Sequence, residues 1–143
     1  ARLVAETTLT LAEFLDRHGE ALPLAPHPGR ALVHGHCHDK ALVGMGPVGR
    51  VLAGVPGLAF DVADTSCCGM AGSFGYEAEH ADVSQAIAEA SFLPAIADAG
   101  AGAALVMDGT SCRQQAAHFT GRKAQHLAEL LADRLMDPSP AGR

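Results

Sequence analysis

The chain has 143 residues, 48% of them hydrophobic, and a formal net charge of −6. That length fits one domain with a real core, built from Ala, Val, Leu, Ile and a few Phe, because there is no Trp and one Tyr. The acidic balance argues against a nucleic-acid or anionic-membrane surface, and no apolar run approaches the length of a membrane-spanning helix.

The first residues, 1–8, carry neither an initiator Met nor a signal-peptide pattern. They read as a cut site, and the chain as a C-terminal fragment of a larger protein. Thr10-Leu-Ala-Glu13 is a capping box that opens a short helix. Leu11, Phe14 and Leu15 share one face, and Gly19 ends it. Residues 20–30, with three prolines and a glycine, read as a loop. Residues 1–30 are therefore an N-terminal helix and a Pro-rich lead-in.

A regular alternation follows. "ALVH" (31–34) is a short apolar strand, and 38–55 is helical material broken by Gly44, Gly46 and Pro47. "LAFDVA" (58–63) is a second strand, and 64–80 a Gly-rich loop and turn. Residues 81–100 form a helical pattern kinked at Pro94, and "AALVM" (103–107) is a third strand. Residues 111–119 are a short helix with Ser111 as its N-cap. Residues 123–126 make a minimal fourth strand, 127–136 a final helix, and 137–143 a disordered tail. Strands alternating with helices predict an α/β fold: a small, mostly parallel sheet flanked by helices. The strands are near-continuous apolar runs, as expected when both faces are covered.

The four cysteines fall after the strands. Cys37 follows the first, Cys67 and Cys68 the second, and Cys112 the third. In an open parallel sheet these connections emerge on one edge, where ligands bind. The four thiols are thus expected to form one cluster on loops at the C-terminal ends of the strands. Thiolates are soft ligands for zinc or iron–sulfur clusters. His36 and His38 flank Cys37 and can ligate a metal or hydrogen-bond to a cluster sulfur. Gly69, Gly72 and Gly75 permit close backbone approach, and Gly69 and Gly72 are taken as cofactor-binding. Cys112 at a helix start has its thiolate favoured by the helix dipole. His34 and His126 read as structural, Asp108 as a cap, and Met70 and Met107 as packing residues. Adjacent thiols diverge, so Cys67 and Cys68 suit two irons of one cluster better than one mononuclear metal.

The segments "HGHCHDKALVG", "DTSCCGMAGSFGYE" and "DGTSCRQQ" resemble the cysteine-rich "CCG" domain. That domain occurs in one of the subunits of heterodisulfide reductase, in the iron–sulfur subunit of glycolate oxidase and in lactate-utilisation proteins. The likeness spans about 31–131, within a domain drawn at 31–136, and is greatest to the C-terminal part of fused FAD-linked oxidases. It implies an electron-transfer module with an iron–sulfur cluster, [4Fe–4S] in type, held by Cys37, Cys67, Cys68 and Cys112. It also implies FAD in the parent protein rather than in this chain, flavin and ferredoxin-like partner domains, and a D-2-hydroxy acid such as D-lactate, glycolate or D-2-hydroxyglutarate as substrate. The acceptor would be a quinone or similar, with the protein cytoplasmic and peripheral at the inner membrane. The family pattern ends in Cys-x-x-Cys, and Gly109 stands where the first of those cysteines would be. Two other readings fit the same residues: a structural zinc or metal-free docking domain, and a thiol–disulfide relay. No residue is read as catalytic, and the chain alone is not expected to turn over a substrate.

Overall fold

The computed structural model describes residues 2–18 and 22–136. Gly19, assigned to the end of the first helix, and the tail 137–143 lie outside the described residues. The fold is α/β, with a four-stranded, all-parallel sheet in the order β2-β1-β3-β4. The strands are β1 (Gly29–His34), β2 (Leu58–Val62), β3 (Ala104–Met107) and β4 (Ala124–Gln125).

Side-chain alternation divides the strands between two cores. Ala31, Val33 and Val106 face one side, with Val48, Leu52, Leu127, Leu130 and Leu131. Leu32, Leu105 and Met107 face the other, with Phe92, Ile96, Ala88 and Ala116. Burial on both faces is why the central strands β1 and β3 read as apolar runs, whereas the edge strand β2 has no buried residue and carries the exposed Asp61.

The helices are α1 (Arg2–Thr7), α2 (Leu11–Arg17), α3 (Cys37–Leu42), α4 (Gly46–Ala53), α5 (Ala81–Ile87), α6 (Leu93–Asp98), α7 (Thr110–Thr120) and α8 (Leu127–Ala132). The Thr10–Glu13 capping box opens α2 as expected, and α2 docks on α4 through a two-bond Asp16–Arg50 pair at 2.7 Å. Pro47 starts α4, where its missing N–H has no partner to lose. The bend expected at Pro94 takes the form of a π-helical stretch, Ala88–Phe92, joining α5 to α6. Widening the turn accommodates a residue that cannot donate and whose ring crowds the preceding turn.

Three details differ from expectation. Helix α1 carries no apolar stripe and is exposed throughout, so periodicity gave no sign of it. The N-cap of α7 is Gly109, not Ser111, which lies inside the helix; no side-chain bond marks this cap. Helix α8 stops at Ala132 because Leu135 turns back to pair with Leu24. No helix among the described residues is long and apolar enough to cross a membrane.

Candidate functional site

The strand order reverses beside β1. The chain leaves β1 for β2 on one side, then crosses to β3 on the other. The connections after β1 and β3 therefore diverge and leave a crevice at the carboxyl edge of the sheet. His36 from the connection after β1 meets Gly109 and Cys112 from the connection after β3. The two walls nearly touch: a Cβ on Gly109 would lie 2.7 Å from His36 Cδ2 and 2.9 Å from Cys112 Sγ. Only a glycine lets the imidazole and the thiol share this corner.

All four cysteines are free thiols on this edge. Cys37 is the first residue of α3 and is exposed. Cys67 is half-buried, whereas Cys68 and Cys112 are 3% and 1% exposed and belong to the second core. Cys112 lies in the first turn of α7. Neighbour interacts with neighbour, Cys37 with Cys67, Cys67 with Cys68, and Cys68 with Cys112. Among the described residues, no three His, Cys, Asp or Glu side chains converge as they would on a single metal ion. The thiols form a chain of contacts spread across the crevice.

Their electrostatics follow from that crowding. The Cys112 thiol hydrogen-bonds to Cys68 and lowers the Cys68 thiol to about 6, against the opposing effect of burial, with help from the Met70 N–H and Cys67. Cys112 is pushed far up by the same hydrogen bond, by burial and by the neighbouring thiolates. Within the pair the proton is favoured on Cys112 over Cys68. Cys37, though exposed as a residue, is raised by partial desolvation of its thiol and then by Cys67, with Lys40 opposing. Four thiolates cannot coexist here without a multivalent cation to offset their repulsion. The soft, crowded donor set is thus compatible with a metal cluster.

The scaffold around the cysteine pair is closely tied. His34 Nδ1 lies 2.7 Å from Thr65 Oγ1. Lys40 Nζ donates to the carbonyls of Thr65 at 2.5 Å and Ser66 at 3.1 Å. The Ser66 N–H donates to Ser91 Oγ at 2.9 Å. Gly69 has φ +96, and a Cβ there would drive into the Ser84 carbonyl oxygen of α5. Gly69 therefore seats the loop on a helix, whereas Gly72, at φ +72, faces open space. Gln115, one turn beyond Cys112, donates to Ser84 Oγ at 3.1 Å and links α7 to the same seam. The β3 connection is held by Arg113, whose Nη1 donates to Met107 O at 2.9 Å and Asp108 O at 2.7 Å.

His36 and His38 stack with ring centroids 5.1 Å apart, beside Cys37. His126 instead caps α8, accepting from the Ala128 N–H at 3.0 Å, and its Nε2 lies 3.5 Å from Asp108 Oδ1. Asp108 in turn accepts from the Leu127 N–H, so it caps α8 rather than its own loop. Met107 is fully buried, as a packing residue should be. Lys40 and Arg113 escape a reading of the sequence. Their only signal is a basic residue within three positions of a cysteine, in a chain with ten Lys and Arg in all.

These features define a parallel α/β domain with a four-thiol crevice at its carboxyl edge. Known proteins share much of the sequence. One subunit of the anaerobic glycerol-3-phosphate dehydrogenase of Escherichia coli K12 is 34% identical over 117 residues, which cover 82% of this chain and 29% of that protein. Its counterpart in Escherichia coli O157:H7 matches to the same extent. D-2-hydroxyglutarate dehydrogenase of Pseudomonas putida is 33% identical over 117 residues, covering 78% of this chain and 11% of that protein. The chain thus spans less than a third of the length of these curated relatives. No family model and no solved structure matches it.

Proposed function

We propose that this chain is an electron-transfer module of a larger dehydrogenase, holding an iron–sulfur cluster on Cys37, Cys67, Cys68 and Cys112. One observation carries the reading: three separate crossovers deliver four mutually interacting thiols to one crevice. The dehydrogenase names of the relatives support it. When bound, such a cluster takes and passes on single electrons. The chain's own residues supply thiolates, exclude water around Cys68 and Cys112, and hold the connections in place. His36 and His38 flank the crevice as further ligands or as donors to cluster sulfur, and Gly69 and Gly72 let the backbone turn beside it.

In this reading residues 31–136 form the module, 1–30 lead into it, and the chain is the C-terminal part of its parent. A flavin elsewhere in that parent or its complex takes two electrons from the substrate, and a ferredoxin-like domain relays them. Electrons leave to a quinone or similar acceptor, with the protein cytoplasmic or peripheral at a membrane. The substrate class is broader than D-2-hydroxy acids, because one relative is named for glycerol 3-phosphate, a secondary alcohol without that carboxylate.

The test is iron and acid-labile sulfide analysis of protein purified without oxygen, with its visible spectrum. Iron and sulfide with a broad brown absorbance are expected. Cys67→Ser is a gentler probe than substitution of Cys68 or Cys112, since Cys67 is half-buried while those two contribute to the core. It should reduce iron to background and leave the far-ultraviolet circular dichroism unchanged. Full iron in that variant would refute the ligand assignment. Stoichiometric zinc without sulfide would make the domain structural. A two-electron titration without metal would make it a thiol–disulfide relay, which the low thiol pKa of Cys68 favours.

A further inference from the structure

We propose that Lys40 is a positioning residue for the cysteine pair, tying down its loop and fixing a positive charge beside the thiolates. The inference rests on reading the crevice as a cluster site.

The geometry is specific. Lys40 belongs to α3, three residues beyond Cys37. Its ammonium donates to Thr65 O at 2.5 Å and Ser66 O at 3.1 Å, the two carbonyls immediately before Cys67. From the end of β1, His34 holds the Thr65 hydroxyl at 2.7 Å. The segment that delivers Cys37 therefore also fixes the position of Cys67 and Cys68. Two of the three cysteine-bearing connections are locked together by side chains on either side of Cys37.

The choice of lysine matters. Ordering its long side chain costs rotamer entropy that exposed lysines avoid. Among the described residues no carboxylate lies within ion-pair distance of Lys40. Its charge is not neutralised by an acid and remains available to the sulfurs. The two carbonyls that Lys40 holds immediately precede Cys67, so the charge is fixed next to the cysteine pair. A fixed cation beside a cluster of thiolates offsets negative charge and favours the reduced state.

The experiment compares the full-length protein, purified without oxygen, with its Lys40→Met and Lys40→Arg variants. Two readings are taken: the midpoint potential of the centre, and hydrogen exchange of the amides of residues 65–69. In Lys40→Met the midpoint should move to more negative potential and the loop amides should exchange roughly tenfold faster or more, as for loss of hydrogen bonds to a charged donor. Lys40→Arg should return both toward wild type, since it keeps charge and donors. Lys40→Gln, neutral but polar, serves if the methionine variant does not accumulate, and should show the same negative shift. Wild-type potential and wild-type exchange in the neutral variants would overturn the proposal. If the wild-type protein holds no iron or sulfide, the cluster reading fails by itself. The exchange data then decide on Lys40 alone: faster exchange in Lys40→Met, restored in Lys40→Arg, supports the tie, and unchanged exchange refutes it.

Discussion

His34 is 2% exposed, and its Nε2 has no hydrogen-bond partner among the described residues. Its ring packs edge-on against Phe92, with centroids 4.6 Å apart. Burial, then the charges of Lys40 and His36, lower its pKa from the usual 6.5 to about 4. Between those values the unfolded chain binds a proton that the folded chain refuses. Stability is therefore fully present above about pH 6.5 and is lost as pH falls toward 4, by about 3 kcal/mol in all. Urea midpoints measured from pH 7.5 to 4.5 should drop along this curve, and His34→Gln should flatten it. An unchanged slope in the variant would place the titration elsewhere. The alternation of His34, His36 and His38 is visible in the sequence. That Thr65 is the partner of His34 is not, because the two lie 31 positions apart.

At the scale of elements, the seam between the cysteine loop and α5 depends on missing methyls at Gly69 and Gly75, which would meet the Ser84 carbonyl and the Ser84 hydroxyl. Gly69 and Gly72 both have positive φ, but Gly69 abuts the Ser84 carbonyl and Gly72 meets nothing within 4 Å. The pair separates backbone strain from contact. Gly72→Ala should cost about 1 kcal/mol for the left-handed conformation alone. Gly69→Ala adds a backbone clash and should cost about 3 kcal/mol or more, with loss of metal loading as the loop lifts. Urea unfolding and iron analysis of the two variants check this. Equal costs would show that the seam yields freely. The first three strands were legible as apolar runs, the β1–β2 crossover as helical material broken at Gly44, Gly46 and Pro47, and the loop of 64–80 from its glycines. The π-helical stretch was legible only as a kink, because sequence locates Pro94 but not the way the preceding turn relaxes.

At the scale of the molecule, two cores sandwich the sheet, and two of the four thiols belong to the second. The first core, with α2, α4 and α8, touches none of them. On the proposed cluster reading, stripping the metal by chelator and oxidant should therefore abolish the visible absorbance and lower the melting temperature by several degrees. It should leave an α/β far-ultraviolet spectrum and a cooperative transition. Complete unfolding on metal removal would mean that the site, and not the cores, holds the chain together.

The sequence by itself determined the class of fold and the edge on which the cysteines gather. Short apolar runs alternating with helical segments point to a parallel α/β arrangement, and residues following parallel strands emerge on one edge. Those are local signals, written in hydrophobic period and in spacing. Only the tertiary structure decided which side chains hold the site. Lys40 reaching Thr65, Gln115 reaching Ser84 and Gly109 admitting His36 are contacts between segments distant in sequence. They depend on the strand order β2-β1-β3-β4, which no local pattern encodes. The order placed the crevice between β1 and β3, where the chain changes direction across the sheet, and so set which loops face one another.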